Sequence, residues 1–323
     1  MRIRSAGSIL LFIVLAGAPG VSGAQAPAAA TAPVFTAEEL MAHVTTLAAP
    51  GMEGRATGTP GNAKARAFVL EQFRAAGLEP LGKTFEMPFT FDRRQPADGK
   101  TTSVKMEGIN IGGICRGRGA KDNGALVLSA HYDHLGVRDA SIYHGADDNA
   151  SGVVVLLALA RQCRQAPWMH DAIFVAFDAE EMGLQGARAF VASLPVPSNR
   201  TIALNINLDM VARGDKNELY IAGTHHTPAL KPILEPVASR SKIKVLFGHD
   251  SGGGQDDWTT QSDHGPFHQA GIPFIYFGVE DHPDYHKPTD TADKINPAFF
   301  YQSAQTILDA VTTIDRALPL PAK

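Results

Sequence analysis

Beyond residue 120 the chain alternates between short, wholly apolar runs and longer segments whose apolar positions recur at helical spacing. The runs are ALVLSA (125–130), AIFVAF (172–177), IALNINL (202–208), LYIAG (219–223) and IPFIYFG (272–278). Unbroken apolar stretches of this length read as strands buried on both faces, and the segments between them, such as 152–161 and 297–314, read as helices. The alternation predicts an α/β domain with a mostly parallel sheet covered on both sides. No repeat or linker interrupts it, so it reads as one domain.

The earlier part of the chain is more varied. Thr36 and Glu39 form a capping box, and Leu40, Val44 and Leu47 then recur at helical spacing until Pro50-Gly51 stops the helix. After the glycine-rich GMEGRATGTPG, a second amphipathic helix spans 62–76, carrying Phe68, Leu70 and Phe73, with Gly77 as its stop. Residues 78–115 show short β-like patterns interrupted by the polar DRRQPADGK, which suggests antiparallel edge strands.

The first residues follow a different logic. Arg2 and Arg4 precede an apolar run from Ile9 to Ala16, and Ser22 and Ala24 stand where a signal peptidase prefers small residues. This is the layout of a secretory signal over 1–24, and its apolar run is too short to span a membrane. The Ala/Pro-rich 25–35 reads as a flexible lead-in, which leaves 36–323 as the folded domain. The expectation is an exported protein, periplasmic or secreted, with cleavage near Ala24; a retained anchor is the alternative.

Composition changes the picture in three ways. With 44% hydrophobic residues the chain can bury a large core. Its net charge is −4, and loss of Arg2 and Arg4 with the signal takes that to −6, so nothing draws it electrostatically to nucleic acid or an anionic membrane. Cys115 and Cys163 can pair in an oxidising compartment, but two cysteines are too few to staple a domain of this size, and whether they pair stays open.

The candidate chemistry lies at the strand ends. His131 closes ALVLSAH, Glu180 and Glu181 follow AIFVAF, Asp209 follows IALNINL, His286 lies in the loop after IPFIYFG, and Asp148 opens the helix after GAD. Ligands of open α/β sheets gather at the carboxyl ends of the strands, so topology predicts that these side chains converge. Asp133, two residues past His131, is placed to hold the imidazole tautomer. A lone Asp209 inside an apolar run would be costly without a partner. The pairs Asp147-Asp148 and Glu180-Glu181 would repel unless a cation sat between them. Mixed imidazole and carboxylate donors without thiolate suit Zn²⁺, with Mn²⁺ or Co²⁺ as substitutes. Two such ions acidify a water, and a spare glutamate would take its proton. That combination describes a hydrolase.

The segments LAAPGMEGRATGTPGNAKA, AHYDHLG, GADDNASG, EEMGLQGA, NLDM, SDHGPFHQAGIPFIYF and DYHKPTDT together resemble the dinuclear zinc aminopeptidases of metallopeptidase clan MH, family M28. The resemblance covers nearly the whole mature chain, in order and spacing, and lacks the protease-associated insert of some relatives. It implies a three-layer α/β/α zinc-exopeptidase fold with a mixed, mostly parallel central sheet. It also implies two Zn²⁺ per chain: His131 and Asp209 on one, Glu181 and His286 on the other, Asp148 bridging. Glu180 would be the general base and Tyr285 would polarise the scissile carbonyl. A cis peptide at Asp148–Asn149 belongs to the same pattern. The implied substrate is a peptide with a free N-terminus. Carboxypeptidase action, glutaminyl cyclisation and a non-catalytic binding role are the competing readings. The first needs a cationic pocket, and Arg55, Arg138 and Arg213 are the arginines noted near motif segments. Asp263 and His264 read as structural or pocket-lining, His225-His226 as opening a helix, and most other histidines, His134 among them, as exposed or capping. The tract SGGGQDDW (251–258) reads as a loop near the cleft with a gating role open to it.

Overall fold

The apolar runs assemble into one mixed sheet. The computed structural model describes residues 34–97, 100–119, 124–194, 202–252 and 256–320. The signal segment and lead-in expected at the N-terminus lie outside the described residues up to residue 33. The strands are β1 (Glu79–Pro80), β2 (Glu86–Ala97), β3 (Lys100–Cys115), β4 (Ala125–His131), β5 (Gly136–Arg138), β6 (Ser141–Tyr143), β7 (Ala172–Phe177), β8 (Ile202–Leu208), β9 (Glu218–Ala222), β10 (Lys244–Phe247) and β11 (Phe274–Gly278). The sheet order is β1-β3-β7-β4-β8-β11-β9-β10, with β2 also on β3, while β5 and β6 form a separate ribbon. Its centre, β7-β4-β8-β11, is parallel. β9 runs antiparallel to β11, which makes the sheet mixed.

Helices α1 (Ala37–Leu47), α2 (Pro60–Ala75), α3 (Gly152–Gln165), α5 (Lys231–Arg240) and α7 (Pro297–Ala317) supply the larger core, with Leu126, Leu128 and Ala130 facing them from β4. α4 (Gln185–Ser193) and α6 (His264–Gln269) cover the other face, against Ala125 and Val127. The period-2 alternation of one wholly buried strand thus feeds two cores, and the layers are α/β/α. No helix among the described residues is long and apolar enough to cross a membrane.

Several expectations need adjustment. The Thr36–Glu39 capping box forms, both bonds present at 2.9 and 3.2 Å. The fold nevertheless begins before residue 36: Phe35 is buried against Tyr301, and Val34 N–H donates to Gln162, so the lead-in is shorter than its composition suggests. DRRQPADGK is no interruption, because β2 continues to Ala97 and β3 resumes at Lys100, making this the end of a long hairpin. β3 is not an edge strand either; its second half pairs with β7. His225 and His226 lie in a turn, and the helix that follows, α5, starts only at Lys231.

Cys115 and Cys163 are disulfide-bonded, tying the end of β3 to α3 across 48 residues of chain. Closing a loop of that size restricts the unfolded chain and contributes about 2–4 kcal/mol. A Cys115→Ser/Cys163→Ser variant should therefore unfold at a lower denaturant concentration, with an unfolding free energy reduced by about that amount. A transition unmoved from wild type would show that the bond adds no stability.

Candidate metal centre

The four parallel strands point their carboxyl ends the same way, and every sequence-flagged ligand sits at or just beyond one of those ends or in the turn leading into α3. His131 is the last residue of β4, and Asp209 follows β8 directly. Glu180 and Glu181 come three and four residues after β7, and His286 lies in the loop after β11. Asp148 is presented by the irregular turn Ala146–Ser151, where the Asp148–Asn149 peptide is cis, as the motif implied.

These side chains converge. His131 Nε2 lies 3.3 Å from Asp209 Oδ1 and 3.4 Å from Asp148 Oδ1. On the other side, His286 Nε2 lies 3.1 Å from Asp148 Oδ2 and 3.5 Å from Glu181 Oε2. Asp148 thus turns one oxygen to each imidazole. Two donors on one tetrahedral zinc, each bonded at ~2.0–2.1 Å, sit roughly 3.3–3.4 Å apart, which is the spacing of these pairs. The donor set and its spacing fit divalent metal. Two triads have donor atoms all within 4.8 Å of one another, His131 with Glu180 and Asp209, and His134 with Asp148 and Glu181.

The electrostatics favour a cation here. Burial pushes the Glu180 carboxyl well above its ordinary range, with Asp263, Asp209 and Glu181 adding to the shift against the pull of His131. Burial and then Asp148 push Glu181 up to about 8. Burial opposes the charged form of His131 as well, yet Asp209 and Glu180 outweigh it and raise this imidazole well above 6.5. Asp148 is held well below 3.8 despite its burial, by His134, His131 and His286. Crowded, dehydrated carboxylates of this kind are relieved by divalent positive charge.

Supporting bonds fix the ligands. His131 Nδ1 meets the Asp133 backbone carbonyl at 3.2 Å, whereas the Asp133 carboxylate stands 3.7 Å away. The expected hold on the tautomer therefore comes through the main chain. The Asp133 carboxylate instead accepts the backbone N–H groups of Glu180 (3.1 Å) and Glu181 (3.4 Å), so it positions the turn that carries both glutamates. Ser262 donates to Asp209 Oδ2 at 2.7 Å and accepts from Asn207, which accepts from Ser129, a buried chain that leaves Oδ1 facing His131. Asp290 accepts the N–H groups of Asp147 and Asp148 at 3.1 Å.

The repulsion argument for Asp147-Asp148 does not hold. The carboxylates diverge: Asp147 Oδ1 accepts from Ala212 N–H and Oδ2 lies 3.3 Å from His282, away from the ligand cluster. Four of the histidines set aside are also buried rather than exposed. His134, His170, His249 and His282 are buried, and His134 Nδ1 sits 2.7 Å from Glu181 Oε1. Its position three residues past His131, at a strand end, was the available signal. Ser262 and Asp290 were within quoted motifs but their bonds, 53 and 143 residues long in sequence, leave no local trace. Asp263 is buried with neither oxygen hydrogen-bonded, and His264 Nε2 meets Trp258 O at 2.7 Å.

The cluster opens into a cleft of about 430 Å³, whose lining includes Leu184, Met210, Trp258, Tyr276 and Val279 as well as Arg188, Asp281 and Tyr285. Tyr285 is half-buried and stacks on His286, with ring centroids 3.9 Å apart. Burial, then Asp148 and Asp209, raise its pKa, so the phenol keeps its proton. Of the arginines considered, Arg55 is wholly buried on main-chain carbonyls, Arg213 is paired with Asp215 and Asp284, and Arg138 lies over Tyr143; Arg188, overlooked just past the motif EEMGLQGA, lines the cleft. Trp258, at the end of the SGGGQDDW tract, is at the cleft as expected; residues 253–255, on which gating would depend, lie outside the described residues.

An α/β/α layer fold with histidines and carboxylates clustered at the strand ends defines a metallohydrolase-type site. The chain belongs to peptidase family M28, whose model matches residues 110–311. It is 32% identical over 215 residues to the aminopeptidase YwaD of Bacillus subtilis, covering 62% of this chain and 44% of that protein. A 184-residue match to the alkaline phosphatase isozyme conversion protein of Escherichia coli is 28% identical and covers 54% of this chain and 51% of that one. The chain thus spans about half the length of these relatives. Among solved structures, a zinc aminopeptidase from Bacillus subtilis superposes with a TM-score of 0.69 at 18% identity, over 87% of this chain and 96% of that one. A glutaminyl cyclase from Bacteroides thetaiotaomicron superposes with a TM-score of 0.64 at 18% identity, over 87% and 99%. Fold and family are therefore those expected from the motifs.

Proposed function

We propose that this protein is an exported aminopeptidase that uses two zinc ions and removes N-terminal residues from peptides. The observation that carries the reading is Asp148, whose two carboxylate oxygens face His131 and His286 separately at 3.4 and 3.1 Å. His131 and Asp209 would hold one ion, Glu181 and His286 the other, with Asp148 between. Zn²⁺, or Mn²⁺ or Co²⁺ in its place, would polarise the scissile carbonyl and acidify a water.

The chain's own groups do the rest. Glu180, half-buried beside His131 and Asp209 and lining the cleft, takes a proton from the attacking water and delivers it to the leaving amide nitrogen. The protonated phenol of Tyr285 donates to the carbonyl oxygen as negative charge develops there. The apolar wall of Leu184, Met210, Trp258 and Val279 accepts the first side chain. The acidic surroundings, with Asp281 at the mouth, favour an ammonium terminus. Export rests on the signal-like layout of residues 1–24.

Arg188 favours a second reading, carboxypeptidase action, because a terminal carboxylate needs a cation at the cleft. Its guanidinium is engaged by Gly183 O at 3.1 Å, which counts against it. Metal content of the purified protein, measured with turnover of N-terminally free and blocked peptides, separates the readings. Two ions and cleavage of free termini only, abolished by a chelator and restored by Zn²⁺, is the expected result. Cleavage only at free C-termini, cyclisation of N-terminal glutamine on a single ion, or no metal at all would each replace it.

A further inference from the structure

We propose that His134 is a positioning residue that fixes which oxygen of Glu181 is offered to metal; this rests on the two-ion reading above. Its side chain has no solvent exposure, and its Nδ1 lies 2.7 Å from Glu181 Oε1 but 3.7 Å from Asp148 Oδ2. Only the first is a hydrogen bond. The other Glu181 oxygen, Oε2, is the one that faces His286 Nε2 at 3.5 Å. The carboxylate is therefore divided: one oxygen bound by His134, the other free to ligate.

The distance also separates this role from ligation. Two donors on one zinc at ~2.0–2.1 Å sit roughly 3.3 Å apart in tetrahedral geometry. At 2.7 Å the His134 nitrogen and the Glu181 oxygen are too close for that and are spaced as donor and acceptor. A carboxylate that ligates metal through Oε2 is ionised and can only accept at Oε1, so Nδ1 carries the proton and has no lone pair for a metal.

The ring is held where it can do this. Gly145 has φ +56°, and a Cβ there would come within 2.6 Å of His134 Cγ and Cδ2, so the ring lies flush on glycine main chain. Arg55 grips both sides of that contact, donating to Gly145 O at 2.8 Å and to Tyr132 O at 3.0 Å, while its own carbonyl accepts from His134 N–H. A ligand carboxylate without such a partner rotates between one- and two-oxygen coordination; loss of an outer hydrogen-bond partner typically costs 10–100-fold in metal affinity.

Three variants test this. His134→Asn places an amide N–H near the Nδ1 position; His134→Gln fills similar volume but places its amide nearer Nε2; His134→Ala removes both. The measurement is Zn²⁺ stoichiometry and the dissociation constant of each ion by competition with a chromophoric chelator, with kcat/KM as second readout and a thermal melt for folding. The Asn variant should hold both ions within a few-fold of wild type. The Gln and Ala variants should lose about 10–100-fold on one ion and leave the other unmoved. Equal loss in the Asn and Gln variants would make the imidazole itself a ligand and overturn the proposal. Wild-type affinity in the Gln variant, or in the Ala variant if it folds, would overturn it as well. A wild-type protein that binds fewer than two ions would instead overturn the two-ion reading, before any variant is compared.

Discussion

Replacing Glu180 by alanine should leave the protein with its full metal content and lower kcat by about 100- to 10,000-fold, the range associated with losing a general acid–base group. Glu180 shares the cluster with His131 and Asp209 and also lines the cleft, so position alone would allow it to be either a ligand or a base. The two roles predict different metal content. Elemental analysis of the variant after dialysis, alongside single-turnover kinetics, decides between them. Metal lost together with activity would make Glu180 a ligand, and activity near wild type would remove it from the reaction altogether. Burial and neighbouring carboxylates raise its pKa in the metal-free protein.

Asp148→Ala should have the opposite signature, with metal content falling from two ions to one or none and turnover falling with it. Its two oxygens face separate imidazoles at 3.4 and 3.1 Å, so removing this one side chain takes a donor from both positions. The loss of affinity should exceed the 10–100-fold that follows removal of an outer hydrogen-bond partner, because a shared ligand itself is removed. Asp148 is buried, so Asp148→Asn serves as the better-packed comparison, with circular dichroism confirming that both variants fold. Retention of two ions by folded Asp148→Ala would take Asp148 out of the ligand set.

The sequence was most legible where a segment's fate depends on its own residues. AIFVAF and ALVLSA can only be covered strands, and a histidine or carboxylate ending such a strand must emerge at the sheet's carboxyl edge, which is why His131 and Asp209 were readable. Direction of a side chain was less legible. Asp147 and Asp148 are adjacent and chemically equal, but the irregular turn Ala146–Ser151 gives them different partners. His134 could not be told from a surface histidine, since its burial depends on Gly145 and on Arg55, contacts that the fold alone supplies. Phe35 was lost among alanines and prolines because a single aromatic residue carries no periodicity, though Tyr301, near the far end of the chain, receives it.

The carboxylate of Asp290 joins the turn bearing Asp148 to the segment bearing His286, across 142 residues of chain. During synthesis the sheet strands that carry His131, Glu180, Glu181 and Asp209 leave the ribosome well before either His286 or Asp290. A nascent or C-terminally nicked chain ending before residue 286 has neither its second imidazole nor the clasp that shapes the Asp148 turn. On the proposed ligand set, such a chain would keep His131 and Asp209 but could not complete the second ion's site.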